Sequence, residues 1–193
     1  LLDLLNIELC RGNDSCMFVT LLCGLLDTNT GDIALASAGH EPPVLCGDGR
    51  ARLINVDTGA VLGLHEDAHY PLHHLSFQSG QTLMMYTDGI TEACNSELDM
   101  YGIEHMTRCL AQIPAESAPA GYFLQLLADV DAFVAGAPQA DDITALAVMF
   151  YVVALSVCDM TLGSTLDEVF ATLDRCEEFF GAGGMPRSSR GGI

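Results

Sequence analysis

Two acidic segments contain the residues whose types and spacing best suit chemistry. Tyr-Thr-Asp-Gly at residues 86–89 closes an apolar strand pattern, and Asp-Asp-Ile-Thr at residues 141–144 opens another. If these strands are antiparallel neighbours, the carboxylates of Asp88 and Asp141 meet at one end of the pair. Converging carboxylates repel each other unless a cation lies between them. Ligands that are all oxygen favour Mg²⁺ or Mn²⁺ over zinc.

The same residues also have an ordinary structural explanation. Asp-Gly is a common turn dipeptide, and two aspartates before a strand are typical of a solvated sheet edge. Their spacing alone leaves both interpretations open.

A cluster of histidines suggests a zinc site as a rival hypothesis. Four of them fall within ten residues, namely His65, His69, His73 and His74. An i, i+4 pair of ligands on one face requires a helix. Gly63, Pro71 and the alternation of apolar residues predict a strand here instead, which argues against zinc.

Two further side chains near these segments are candidates for a role. His40 lies at a strand-to-turn junction, where it either stabilises the turn by a hydrogen bond or contacts a substrate. Cys94 follows Asp88 closely, but no neighbouring basic group would lower the pKa of its thiol, so a cysteine nucleophile is not supported.

The elements that must position these residues change character halfway along the chain. Apolar and alternating runs separated by Gly, Asn and Asp turns predict strands joined by short loops, which favours an antiparallel meander. Helical spacing then predicts two helices, near residues 103–113 and 123–134, before a return strand at 143–153. The predicted strands of the first half are residues 17–26, 33–38, 43–46, 51–56, 69–77 and 81–87.

These elements predict an α+β domain, and the two chain ends look different from it. Residues 1–5 resemble the end of a helix that begins upstream. We predict one domain over residues 1–153, a linker and helix over 154–183 and a disordered tail over 184–193.

The composition excludes several classes of function. The chain carries 7 basic residues, all arginine, against 26 acidic ones, a net charge of −19 that disfavours nucleic-acid binding. No apolar run reaches the roughly 20 residues of a membrane span. The eight cysteines contain no Cys-x-x-Cys pair and several lie in apolar runs, so we predict buried free thiols in a reducing cytoplasm.

Six segments over roughly residues 4–152 resemble, in their order and spacing, the phosphatase domains of the SpoIIE/RsbU-like PPM type. Residues 86–93 are similar to the most specific motif of that family. The segments are Met17-Phe18-Val19-Thr20-Leu21 with Asp27, Thr30 and Gly31; Ala38-Gly39-His40 with Pro42 and Pro43; Leu62-Gly63; Gly80 and Leu83 leading into Tyr86-Thr87-Asp88-Gly89-Ile90-Thr91-Glu92-Ala93; Tyr101-Gly102; and Asp141-Asp142-Ile143-Thr144.

The resemblance implies an αββα sandwich of two antiparallel sheets flanked by helices, with a two-metal centre for Mn²⁺ or Mg²⁺ between the sheets. Asp88 and Asp141 match the metal-binding and catalytic aspartates, and Asp142 matches a more variable metal-site neighbour. We also assign His40 and Gly89 to substrate binding. The implied activity is removal of phosphate from serine or threonine, the ions activating water and neutralising the phosphoryl charge. The implied partner is a phosphorylated anti-sigma-factor antagonist protein.

The chain departs from the family pattern at its beginning. The first acidic strand and a later Asp-Gly belong upstream of Leu1, so we predict a fold incomplete at the N-terminus and weak activity for this chain alone. A non-catalytic regulatory module of the same fold, a pseudophosphatase, is the alternative. Residues 157–180 are similar in pattern to the start of an anti-sigma histidine-kinase-like ATPase domain, or form a terminal helix of the phosphatase. The sequence leaves the oligomeric state open.

Overall fold

The computed structural model describes residues 1–114, 116–139 and 141–151. The predicted linker, helix and tail after residue 153 therefore lie outside the described residues. Short turns rich in Gly and Asp separate most of the strands, as the sequence pattern predicts. In chain order the elements are α1 (Leu2–Cys10), β1 (Leu21–Leu26), β2 (Asp32–Ala38), β3 (Val44–Gly47), β4 (Arg50–Leu53), β5 (Thr58–Gly59), β6 (His73–Ser76), β7 (Gln81–Tyr86), α2 (Gly102–Gln112), α3 (Pro119–Val134) and β8 (Ala145–Phe150).

The strands form two four-stranded sheets. In the first sheet, β2 pairs with β1 along one edge and with β5 and β6 along the other. The second sheet has the strand order β4-β3-β7-β8, and all its pairings are antiparallel. The prediction of a simple meander is wrong, because β6 and β7 are neighbours in sequence but belong to different sheets. The first sheet is also not wholly antiparallel, since β5 pairs with β2 in parallel over two residues.

Strict alternation along the strands builds the layers. In β2, Ile33 and Leu35 pack between the sheets with Leu83 of β7, whereas Ala36 and Ala38 face the other way, toward Leu2 of α1. The two sheets thus share one core, and α1 covers part of the outer face of the first sheet.

The second sheet uses the same alternation against the other two helices. Met84 and Tyr86 of β7 pack against a cluster that includes Met106 of α2 and Leu126 of α3. The order of layers is therefore helix, sheet, sheet, helices, which confirms the predicted αββα sandwich. Within the described part of the chain, none of the helices has the length and apolar character that crossing a bilayer requires.

Three local expectations differ from the structure. The N-terminal helix continues to Cys10 rather than ending near residue 5. Residues 17–20 are outside β1, although Val19 forms an isolated bridge with Leu62. Among the six described cysteines, all free, Cys46 is buried and Cys16 is exposed, so the prediction of generally buried thiols holds only in part.

Candidate functional site

Strand register brings three of the motif segments to one end of the second sheet. In the β7–β8 pair Tyr86 lies opposite Ala145, and in the β3–β7 pair Val44 lies opposite Met84. The residues after Tyr86 and those before Ala145 and Val44 consequently leave the sheet at the same end. Asp88, the Asp141–Asp142 pair and the turn that contains His40 belong to these three segments.

Asp88 lies two residues past the end of β7, at the start of a tight turn. The backbone N–H of Glu92 donates to its carbonyl oxygen at 2.8 Å, and Thr91 Oγ1 donates to the same oxygen at 3.2 Å. These bonds hold the backbone of Asp88. Its side chain is exposed, and the carboxylate forms no hydrogen bond or ion pair with the described residues.

The second acidic segment precedes β8. The Asp142 backbone N–H donates to Asp141 Oδ1 at 2.7 Å, so one carboxylate oxygen of Asp141 organises its own loop. The Gln139 amide donates to the Asp141 carbonyl at 2.6 Å. Both aspartates are exposed. The loop is thus fixed by its own polar groups, and the Asp142 carboxylate remains unbonded to the described residues.

Thr87 joins the two acidic segments directly. Its backbone N–H donates to the Thr144 carbonyl at 3.0 Å, and its hydroxyl donates to the Asp142 carbonyl at 3.0 Å. The same hydroxyl oxygen accepts the Thr144 N–H at 2.9 Å. This network extends the β7–β8 ladder beyond Tyr86 and sets the distance between the chain at Asp88 and the chain at Asp142. Sequence reasoning placed Thr87 in a motif but gave it no role.

Gly89 lies where a side chain does not fit. A Cβ at this position would be 2.5 Å from the Asp142 carbonyl oxygen and 3.2 Å from that of Asp141. The missing side chain therefore lets the turn after β7 lie against the loop before β8. The structure thus gives Gly89 a packing role, and its assignment to substrate binding stays a prediction.

His40 takes part in a polar cluster at the end of β2. Its Nδ1 lies 3.1 Å from Thr20 Oγ1, and its backbone N–H donates to Ser37 Oγ at 3.3 Å. The preceding Gly39, with a φ of +65°, allows the chain to turn from the first sheet toward β3 in the second. These bonds agree with the turn-stabilising interpretation, and a substrate contact through His40 stays a prediction.

Glu41 is a neighbour of the site that sequence reasoning missed. Burial raises the pKa of Tyr86, and the nearby Glu41 carboxylate raises it further. The Tyr86 hydroxyl is buried and has no hydrogen-bond partner among the described residues. The charge of Glu41 therefore acts at the end of β7, in agreement with the strand register.

The oxygen ligands of this site suit a hard metal cation, but the described residues supply few of them. Asp88 and Asp141 offer carboxylate oxygens, which Mg²⁺ and Mn²⁺ prefer. Within residues 1–114, 116–139 and 141–151, no group of three or more His, Cys, Asp or Glu side chains is arranged to hold a metal ion. The two aspartates thus fit a metal site in type and supply part of a ligand set.

The zinc hypothesis has no support from the described residues, because the histidines at 65–74 are not part of any group of three or more candidate ligands there. His73 and His74 are adjacent residues of β6 and pair with Leu35 and Ala34 of β2. Since successive side chains of a strand point to opposite faces, these two histidines diverge.

Solved structures identify the architecture as that of PP2C-type phosphatases. The RsbU and RsbW domains of Rv1364c from Mycobacterium tuberculosis match with a TM-score of 0.61 at 22% identity, over 89% of this chain and 47% of that one. The Mn-presoaked phosphatase domain of SpoIIE from Bacillus subtilis matches with a TM-score of 0.54 at 16% identity, over 68% and 56%. At these identities the likeness concerns the fold.

The chain belongs to the SpoIIE family, because the family model described as Stage II sporulation protein E matches residues 1–151. This confirms the resemblance drawn from the motifs. Protein IcfG of Synechocystis sp. is 29% identical over 137 residues, 70% of this chain and 21% of that protein. Phosphoserine phosphatase RsbU of Bacillus subtilis is 28% identical over 85 residues, 44% and 25%. The chain thus spans about a quarter or less of these relatives.

Proposed function

We propose that this chain is the phosphatase part of a protein that removes phosphate from serine or threonine residues of a phosphoprotein, with Mn²⁺ or Mg²⁺ as cofactor. One observation carries the proposal. The β7–β8 register and the Thr87 hydrogen bonds bring the segments of Asp88 and Asp141 together at one sheet end. The name of the relative RsbU, a phosphoserine phosphatase, supports the same chemistry.

In this proposal the carboxylates of Asp88 and Asp141 hold the cation, and Asp142 adds negative charge beside them. When bound, the cation would activate water and neutralise charge on the phosphoryl oxygens. The chain itself contributes rigidity. Thr87 bonds both segments together, and Gly89 allows their close approach, so the fold holds the backbone that carries the two carboxylates.

We propose a phosphorylated anti-sigma-factor antagonist as the substrate, and the cytoplasm as the compartment. Support for the substrate comes from the family resemblance and from the RsbU relative. The alternative is a module that binds the phosphoprotein without hydrolysing it.

Phosphate release from a phosphoserine peptide, measured with and without Mn²⁺, tests the proposal. Any residues that precede Leu1 in the natural protein are included in the preparation. We expect Asp88→Asn and Asp141→Asn each to lower Mn²⁺ affinity by at least the 10- to 100-fold that loss of an outer-shell partner typically costs. The matched control Asp57→Asn removes the same charge at an exposed loop position before β5.

Calorimetric titration of Mn²⁺ gives a second measurement that does not require turnover. Binding of the phosphopeptide without phosphate release, unaffected by Mn²⁺, would favour the non-catalytic alternative. Equal Mn²⁺ affinity in the wild type and the Asp88 and Asp141 variants would overturn the assignment of the site.

A further inference from the structure

A cavity of about 360 Å³ opens beside the candidate site. It lies between the turn that follows Asp88, the C-terminal end of α3 and the loop that leads into β8. Its apolar walls include Ala93, Val130, Val134, Pro138 and Ile143. The function proposed above does not use this cavity.

The cavity is continuous with the candidate site. Gly89 forms part of its wall, follows Asp88 directly and lies against the Asp142 carbonyl oxygen. Ile143, another residue of the wall, follows Asp142 directly. A peptide whose phosphorylated residue reaches Asp88 would therefore have neighbouring side chains close to the mouth of this cavity.

The described residues that line the cavity carry negative charge and no positive charge. Asp131 of α3 lines it, is exposed, and forms no ion pair with the described residues. None of the arginines in the described ranges lines the cavity; these are Arg11, Arg50, Arg52 and Arg108. Apolar walls with one unpaired carboxylate suit a side chain that has an apolar stem and a cationic end, as lysine and arginine do.

We propose that this cavity accepts a lysine or arginine side chain of the phosphoprotein substrate, close in sequence to the phosphorylated residue. The aliphatic stem lies along Val130, Val134 and Pro138, and the cationic end meets the Asp131 carboxylate. The proposal rests on the phosphatase function proposed above, and it adds a preference for basic sequence context.

Phosphoserine peptides that carry a single arginine, alanine or glutamate at each flanking position in turn test the preference. We expect arginine at one position to raise kcat/KM about 1.4- to five-fold over alanine, the range of an exposed ion pair. In Asp131→Asn, kcat/KM for the arginine and alanine peptides should become equal. In Asp131→Arg, the glutamate peptide should become the preferred substrate. The matched control Asp57→Asn, outside the cavity, should keep the arginine preference.

Cys94 provides a measurement that does not depend on turnover, because it also lines the cavity. The rate at which iodoacetamide alkylates each cysteine is measured by mass spectrometry. We expect the arginine peptide to slow alkylation of Cys94 and to leave the alkylation rate of exposed Cys16 unchanged. The alanine and glutamate peptides should protect Cys94 less.

The two experiments separate the two proposals. If no peptide is hydrolysed but the arginine peptide protects Cys94 in an Asp131-dependent manner, the phosphatase function fails and the basic-residue cavity stands. If peptides are hydrolysed without any arginine preference, or with equal preference in Asp131→Asn, and Cys94 is not protected, the inference is overturned while the phosphatase function stands.

Discussion

Replacing Gly89 by alanine tests whether close packing of two loops sets the geometry of the site. The added Cβ would lie 2.5 Å from the Asp142 carbonyl oxygen and 3.0 Å from its carbonyl carbon. Both are backbone atoms, so no flexible side chain can move aside. The φ angle of Gly89 is not positive, so alanine could adopt its backbone conformation. The clash therefore arises from the contact with residue 142 alone.

The size of the effect follows from these distances. Reaching the shortest Cβ contacts that real structures show, 3.0 Å, requires the loop before β8 to retreat by at least about 0.5 Å. Overpacking of this kind typically costs about 1–3 kcal/mol of stability. A misplacement approaching 1 Å between reacting groups can reduce the rate by about 100-fold. Because each tenfold in rate corresponds to about 1.4 kcal/mol, we expect the folded variant to lose up to about 100-fold in kcat/KM beside a stability loss of similar free energy.

The assay compares Mn²⁺-dependent kcat/KM on a phosphoserine peptide with the urea midpoint of unfolding. Gly121→Ala in α3 is the matched control, because the new Cβ would meet the Cβ of Ser117, which precedes the helix, at an ordinary 3.4 Å. Alanine is favoured over glycine in a helix by up to about 1 kcal/mol, so this control should be neutral or stabilising. If Gly89→Ala retains wild-type kcat/KM and Mn²⁺ affinity while folded, the packing argument is wrong.

Three further predictions concern the support of the site. Thr87→Val removes the hydroxyl that bonds residues 142 and 144, so the free energy of unfolding measured in urea should fall by about 1–3 kcal/mol. Burial raises the pKa of Cys46 from 9.0 to about 12, so the thiol of the unfolded chain loses its proton first. The free energy of unfolding should therefore fall as the pH rises from about 9 to about 12, by at most about 1.4 kcal/mol per pH unit. Cys46→Ala should make this dependence on pH weaker. Tyr101→Phe removes a donor to Asp129 at 2.5 Å and should cost about 1–2 kcal/mol in the same urea assay.

Exposed residues of the same types supply the controls. Thr28→Val, Cys16→Ala and Tyr151→Phe change exposed side chains that form no hydrogen bond with the described residues. Each should change stability by less than about 0.5 kcal/mol. A threonine or tyrosine variant no less stable than its control, or an unchanged alkaline slope in Cys46→Ala, would contradict the corresponding prediction.

Local patterns predicted most strands and both later helices, because alternation and helical spacing depend on neighbours in sequence. The assignment of strands to sheets was not predictable in this way. Residues 78–80 resemble a hairpin turn, yet they carry the chain from β6 in one sheet to β7 in the other. The core decides this, since Phe77 and Leu83 both pack between the sheets.

Helix α3 shows a second limit of sequence pattern. In the sequence, Phe123, Leu127, Val130 and Val134 recur at helical spacing and predict one apolar face. The residues that the structure buries are Tyr122, Leu126 and Val130. Apolar residues surround the start of this helix, so the two faces differ by one residue and the periodicity hardly distinguishes them.

The candidate site was predictable only to the level of its motifs. Asp88 and Asp141 follow from acidic residues that flank two strand patterns, together with the family resemblance. The neighbours of these residues depend on three-dimensional packing. Glu41 acts on Tyr86 across strands that are far apart in sequence, and Asp131 enters the adjacent cavity from α3.

The position of β8 has a consequence for how long the site persists. Within the described residues β8 is the last strand of its sheet, and it pairs only with β7. Outer strands commonly detach in local fluctuations that need less free energy than global unfolding. The time for which the segments of Asp88 and Asp141 stay together would then be set by how often β8 detaches from β7. A cation that bridges the two segments should slow amide hydrogen exchange in β8 more than in β3.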